Sequence, residues 1–271
     1  MRIGMRAGFH ARRLETIDTH RQAVKRVLDV MRLNKTDELD LTKLAKIASM
    51  SRFHFLRVFE DVTGVSPLRF LASLRIDRAK RLLIETSLPV TTICLDVGYS
   101  SLGTFTRLFT EYVGVAPLSF RRLPAKLGHQ SLVSLIARYL AQRKPTCRDQ
   151  ILSGHIEAEK DFAGISFVGV FETAIPQRRP VDGTIVMRDR AFELALPIRS
   201  QSYWIMAAGF SAGSDAIHSL TLSSSDLFVA SRQVFCTNYG KIVPNTCCLS
   251  LRRPDDFDPP ILTALPILLG A

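Results

Sequence analysis

The sequence has few features that would assign it to a special class. No run of apolar residues is long enough to span a bilayer; the most apolar tail, Ile261 to Leu269, is short and broken by Pro266. The N-terminus, MRIGMRAGFHARR, is basic but has no apolar core stretch, so it does not read as a secretory signal and a cytoplasmic protein is expected. There are only five cysteines, Cys94, Cys147, Cys236, Cys247 and Cys248, an odd number without a CxxC pair. Cys247 and Cys248 would point to opposite faces of a strand and chelate poorly, so the thiols read as reduced and mostly packed. Hydrophobic residues (46%) and charged residues (23%) are in ordinary globular proportion, which excludes wholesale disorder.

Acidic residues are scarce in one half. The 271 residues carry a formal charge of +11, but residues 1–125 hold 21 basic against 12 acidic groups (+9), residues 126–160 hold 6 against 3 (+3), and residues 161–271 hold 9 against 10 (−1). The first half suits a polyanion; the last is not expected to share that surface.

The strongest positive signal is an internal repeat. Residues 55–70, FLRVFEDVTGVSPLRF, align with residues 105–120, FTRLFTEYVGVAPLSF, at an offset of 50, with eight of sixteen positions identical. Upstream, Leu41 to Ala45 matches Val90 to Cys94, with one residue inserted before Ser101. A repeat of this size means a duplicated supersecondary element. Each copy reads as helix, turn, helix. In the first, Asp40 caps a helix ending near Ala48, Ser49 and Met50 turn, and Ser51 caps a helix to about Val62, closed by Gly64. In the second, Pro89 opens a helix, Gly98 and Tyr99 turn, and Ser101 caps a helix closed by Gly114. A helix near Ile17 to Leu33 precedes both, and one from Pro67 to about Glu85 joins them.

At 100° per residue, Phe55, Val58, Phe59 and Val62 fall on the core side of the first copy's second helix, as do Phe105, Leu108, Phe109 and Tyr112 in the second copy. Arg52, Phe53, Leu56, Arg57 and Glu60 face outward, matched by Leu102, Gly103, Thr106, Arg107 and Thr110. Outward apolar groups on a basic domain fit contact with thymine methyls, and the arginines fit guanine edges or phosphates. The joining helix, about 19 residues at roughly 1.5 Å each, spans about 28 Å, close to the roughly 34 Å of one DNA turn. Arg121 and Arg122 are expected to add to the positive field.

Residues 15–125 resemble the double helix-turn-helix domain of the AraC/XylS transcription regulators. The resemblance rests on SRFHFLRVFEDVTGVSP, LRFLASLRIDRAKRLL and PVTTICLDVGYSSLGTFTRLFTEYVGVAPLSFRR, the last of which is similar to the family's C-terminal signature. It implies sequence-specific binding of double-stranded DNA near promoters, often with transcriptional activation. RNA polymerase and a small-molecule effector are then candidate partners. The DNA-contacting positions it implies, taken with the helical-face reading, are Arg52, Phe53, Leu56 and Arg57, then Ser101, Leu102, Gly103, Thr104, Thr106 and Arg107. Two departures matter. Ser49 stands where the family often has glycine, predicting a strained turn. Gly103 offers no side chain, leaving the second copy more reliant on phosphate contacts and DNA shape.

Residues 126–150 read as a linker, with a helix possible over 131–143. Residues 151–271 change pattern: eight of the 13 prolines lie beyond residue 170, and apolar runs recur at 165–171, 184–187, 192–196, 203–208, 227–234 and 246–251. The fold class expected is therefore multidomain: an N-terminal all-α double helix-turn-helix domain and a C-terminal, mainly antiparallel β-sandwich-like domain serving as effector or interaction module. The stretch from Phe192 through Met206 is similar to hairpins of transthyretin-like and carboxypeptidase-regulatory-like sandwiches.

Enzyme chemistry is weakly represented. Gly209-Phe-Ser-Ala-Gly213 matches a nucleophile elbow, with Asp215 and His218 nearby, but such an elbow needs a parallel sheet followed by a helix. A turn of small residues is the better reading, against a hydrolase fused to a DNA reader. Tyr203 and Trp204 either line a ligand cavity or alternate inward and outward on one strand, the second being the better reading. His155 and His218 show no partners at metal-ligand spacing, and Asp255, Asp256 and Asp258 among prolines read as an exposed loop rather than a calcium site. No catalytic residue, metal or cofactor is assigned, and no membrane partner.

Overall fold

In the computed structural model the described residues are 3–33, 39–128, 134, 150–158, 162, 164–187, 190–197, 199–211, 227–237 and 241–263, with the backbone alone for residues 3–15 and for Ser211. The proposed helix over 131–143, Cys147, Asp215, His218 and most of the apolar tail lie outside them. Among the described residues, no helix is long and apolar enough to cross a membrane.

Among the described residues eight helices come first: α1 (Ile3–Leu33), α2 (Leu41–Ile47), α3 (Arg52–Thr63), α4 (Pro67–Glu85), α5 (Val90–Asp96), α6 (Leu102–Val113), α7 (Pro117–Arg121) and α8 (Leu123–Leu127). The expected helix at 17–33 is thus the second part of a longer one, so the helix-turn-helix units at α2–α3 and α5–α6 do not begin the chain. Local chemistry explains the boundaries. Asp40 Oδ1 accepts from Lys43 N at 2.7 Å, Ser51 Oγ from His54 N and Ser101 Oγ from Thr104 N, both at 3.4 Å. Gly64 and Gly114 end α3 and α6 in the left-handed region. Phe55, Phe59, Phe105, Phe109, Phe70 and Phe120 are fully buried, and their edge-to-face contacts repeat between the copies: 5.7 Å between Phe59 and Phe70, 5.6 Å between Phe109 and Phe120.

The remaining elements among the described residues are strands: β1 (Ile151–Glu157), β2 (Gly164–Phe171), β3 (Gly183–Val186), β4 (Ala191–Ala195), β5 (Gln201–Ser211), β6 (Phe228–Cys236), β7 (Ile242–Val243) and β8 (Thr246–Ser250). They form a three-stranded sheet, β4-β1-β8, and a five-stranded sheet, β3-β2-β5-β6-β7. Every pairing is antiparallel except β1 with β8, which is parallel. Leu152, Ile156, Phe192, Leu194 and Leu249 from the small sheet meet Val168, Val170, Tyr203, Ile205 and Val234 from the large one in a shared core. The expected hairpin from Phe192 to Met206 does not form, because β4 pairs with β1 whereas β5 pairs with β2 and β6; the chain crosses between layers there.

A second hydrophobic cluster runs from the helices into the outer face of the large sheet, taking in Phe167, Ile175, Ala208, Phe210 and Leu262. Tyr203 faces the inter-sheet core and Trp204 the opposite side, as the alternation predicted.

Candidate nucleic-acid interface

The two capped helices α3 and α6 present equivalent surfaces. On α3, Arg52, Phe53 and Arg57 are exposed and Leu56 is half-buried; Phe53, at 89% exposure, has almost no burial to explain it. On α6, Leu102, Gly103, Thr104 and Arg107 are exposed and Thr106 is half-buried. Both sets lie on the first two turns of their helices, opposite the buried phenylalanines. Ser101 lies at the same end, where its hydroxyl oxygen serves as the cap of α6. His54 packs its ring edge-on to His20 of α1, 5.3 Å between centroids, so α1 buttresses the start of α3.

The arginines differ in their surroundings. Among the described residues no carboxylate pairs with Arg52 or Arg57. Arg107 lies 3.5 Å from Glu111 one turn along α6. Arg121 is not a free surface cation: its guanidinium donates to the carbonyls of Leu83 and Leu88, at the end of α4 and in the loop to α5. Its side chain fastens α7 to the end of the joining helix and the start of the second copy, a contact that helical periodicity does not reveal.

The turn between α2 and α3 is strained as expected. Ser49 has φ +56°, and the matching Gly98 has φ +84°. A serine tolerates this region with difficulty, whereas glycine enters it freely.

The ends of α3 and α6 far from these faces meet the β region. A Cβ placed on Gly64 would lie 3.3 Å from Trp204 Cη2, and one on Gly114 would lie 3.9 Å from Arg178 Cα. Arg178 N donates to Tyr112 O at 2.8 Å, its Nε donates to Glu111 O at 2.9 Å, and its Nη2 stands 3.3 Å from Glu111 Oε1. Glu111 therefore bridges Arg178 of the β region and Arg107 on the exposed face of α6. A segment running to Thr263 is fastened to other helices: Arg21 stacks on Phe257 at 4.2 Å, Lys25 and Arg32 pair with Asp256, and Lys80 Nζ donates to Ile261 O at 3.1 Å. Lys80 is fully buried; burial outweighs the nearby Asp77 carboxylate and lowers its pKa to about 8.

A cavity of about 330 Å³ lies on the outer face of the large sheet, lined by Phe167, Phe171, Met206, Ala208, Pro176 and Ile261 among others. Its walls include residues of the segments that grip the helices, Pro176, Arg179 and Pro180 with Asp258, Pro259 and Ile261; Leu262 N and Thr263 N donate to Pro176 O and join the two segments.

The other candidates resolve differently. Gly209 and Phe210 lie inside antiparallel β5, flanked by β2 and β6, which is not the parallel-sheet setting of a nucleophile elbow. Asp258 holds Arg252 through two bonds of 2.6 and 2.7 Å, so that loop is fastened by an arginine. His155, in contrast, does have neighbours of metal-ligand type: Glu157 two residues along β1, and Cys248 across from it on β8.

The helix-turn-helix domain family matches residues 44–123. The chain carries an AraC-type helix-turn-helix domain. A helix-turn-helix-type transcriptional regulator of Haemophilus influenzae is 38% identical over 82 residues, 30% of this chain and 28% of that protein. The RCS-specific transcriptional activator RclR of Escherichia coli is 40% identical over 85 residues, 31% of this chain and 30% of that protein. The match thus spans less than a third of these relatives' length. A crystal structure of a transcriptional regulator from Chromobacterium violaceum, described as AraC-type, is 26% identical with a TM-score of 0.38, covering 40% of this chain and 96% of that one. Within the AraC-type domain, sequence reasoning missed Glu111 as a shared partner. Its spacing of four from Arg107 was legible; its contact with Arg178 was not.

Proposed function

We propose that the chain is a sequence-specific, DNA-binding transcription regulator that sets α3 and α6 into successive major-groove segments. The observation that carries this reading is the pair of pseudo-equivalent, exposed helix faces on one rigid α4 spacer. They offer apolar and cationic groups where burial requires neither. Arg52, Phe53, Leu56 and Arg57 would contact bases or phosphates from α3; Ser101, Leu102, Gly103, Thr104, Thr106 and Arg107 would do so from α6. In this reading residues 15–125 bind double-stranded DNA, residues 126–150 connect, and residues 151–271 regulate. The role places the protein in the cytoplasm, and contact with RNA polymerase belongs to an activating version of it.

Ligand sensing is favoured over a purely protein-interacting β region by the cavity. It is largely apolar, of a size that suits a small organic molecule, and its walls include segments that hold α1, α4 and α6. A molecule that spreads those walls would strain the contacts behind the recognition helices.

Selection from random-sequence DNA followed by fluorescence anisotropy tests the DNA reading. An enriched site and affinity falling steeply with salt are expected; no enriched site with a flat salt response would overturn it. Native mass spectrometry of freshly purified protein tests the sensing role by the mass of a retained ligand. A Ser211→Ala variant is expected to change neither result, as a regulator without a catalytic serine requires.

A further inference from the structure

The outer face of the three-stranded sheet carries a cluster that the DNA-binding reading does not use. β1 turns Leu152 and Ile156 into the core, so His155 and Glu157 share the solvent face. The parallel register with β8 sets Cys248 opposite His155 and Ser250 opposite Glu157. His155 Nε2 lies 3.5 Å from Glu157 Oε1, and one donor atom from each of His155, Glu157 and Cys248 lies within 4.8 Å of the other two. Ser250 Oγ donates to Glu157 Oε2 at 3.1 Å and orients the carboxylate.

We propose that His155, Glu157 and Cys248 form a binding site for a borderline transition-metal cation, Zn2+ foremost. The donor set is one imidazole nitrogen, one carboxylate oxygen and one sulfur. Hard cations such as Mg2+ and Ca2+ prefer all-oxygen sites, whereas Zn2+ takes this mixture in tetrahedral geometry. Metal–donor bonds of about 2.0–2.3 Å place tetrahedral donors roughly 3.4–3.7 Å apart. The histidine–glutamate pair already meets that spacing, and Cys248 has at most about an ångström to close by side-chain rotation. The backbone need not move, because the three residues sit on paired strands. Binding releases the thiol proton to solvent, and the metal takes its place on sulfur. The bond to Glu157 Oε1 leaves Oε2 with Ser250, a second-shell contact of the kind that fixes metal ligands. A fourth position faces solvent and is open to water or an added ligand.

The site would staple β1 to β8, and β8 leads directly into the segment that docks Asp256, Phe257 and Ile261 on the helices. Zn2+ should therefore stabilise the β region and its seat behind the AraC-type domain.

The full chain, kept reduced with a phosphine, is titrated with Zn2+ against a chromophoric chelator, with Co2+ as a spectroscopic probe. One equivalent should bind and raise Tm, and Co2+ should give a thiolate-to-cobalt charge-transfer band. Cys248→Ser and His155→Ala should each weaken binding on the order of 100-fold or more and abolish the Tm rise, and the serine variant should lose the band. Cys147→Ser should change nothing. The near-isosteric Cys248→Ser at a strand position leaves the fold intact, which far-ultraviolet circular dichroism verifies. Equal Zn2+ affinity in wild type and Cys248→Ser, a cobalt complex without the thiolate band, or loss of binding in Cys147→Ser would each overturn the site.

Discussion

The two helix-turn-helix units share a scaffold and differ in what they show to solvent. Each buries two phenylalanines of its second helix, caps that helix with serine and closes it with a left-handed glycine. On the outward face, Arg52 and Phe53 of the first unit correspond to Leu102 and Gly103 of the second. The shared arginine also differs: no described carboxylate pairs with Arg57, whereas Arg107 shares Glu111 with Arg178. The turns differ in the opposite sense, with strained Ser49 in the first unit and relaxed Gly98 in the second. Packing requires the scaffold to stay the same, but nothing in the core restrains the outward residues. In the proposed DNA-binding role the first unit would make more of the direct base contacts; the second is tied to the β region through Glu111 and Arg178.

The shared core should give the largest effect. Phe55→Ala and Phe105→Ala should each cost about 3–5 kcal/mol by urea denaturation, since both rings are fully buried in the same setting. A large difference between them would show that the units are not energetically equivalent. The helix joining the units carries the next effect. The pKa of Lys80, about 8, lies below its ordinary 10.5, so between those pH values the unfolded chain holds a proton that the folded chain has lost. Its contribution to stability should rise with pH across that window, by a few kcal/mol at most, and Lys80→Met should flatten the rise in a pH series of denaturation curves. On the reading faces, Arg57→Ala should weaken specific DNA binding by about 1–3 kcal/mol and relax base preference at one position. Arg107→Ala should cost less, and Glu111→Gln should tighten binding slightly by freeing Arg107; anisotropy on the selected site measures all three. At the turns, Gly98→Ala should destabilise by about 1–2 kcal/mol, its φ being +84° with the Arg75 guanidinium 3.1 Å from the added Cβ. Ser49→Gly should stabilise by up to about 1 kcal/mol, and a loss there would refute the strain assigned to that turn.

What was legible in the sequence followed the range of the interactions involved. Asp40, Ser51 and Ser101 cap the helices that follow them within three residues, and Pro67 opens α4, so boundaries were readable from local spacing. β1 is not legible in the sequence because Gly154 interrupts its inward alternation; Phe192 fills the space where a Cβ would stand 2.4 Å from its ring. The expected Phe192–Met206 hairpin failed because adjacent strands in sequence entered different sheets, a choice made by the two-layer core. Arg121 looked like a surface cation until α7 folded back onto α4. His155 looked solitary because its sulfur neighbour, Cys248, is far along the chain and reaches it only through a parallel register.

The duplicated helix-turn-helix, its caps and turns, the outward placement of Arg57 and Arg107, and the concentration of positive charge in the first half are all dictated locally by the order of residues. These depend on periodicity and on contacts a few residues apart. Long-range packing is what sets the β region against the far ends of α3 and α6, buries Lys80 under Ile261, and brings His155, Glu157 and Cys248 together. Those contacts join distant residues, and their geometry follows from how two sheets and a helical bundle close around shared apolar surface.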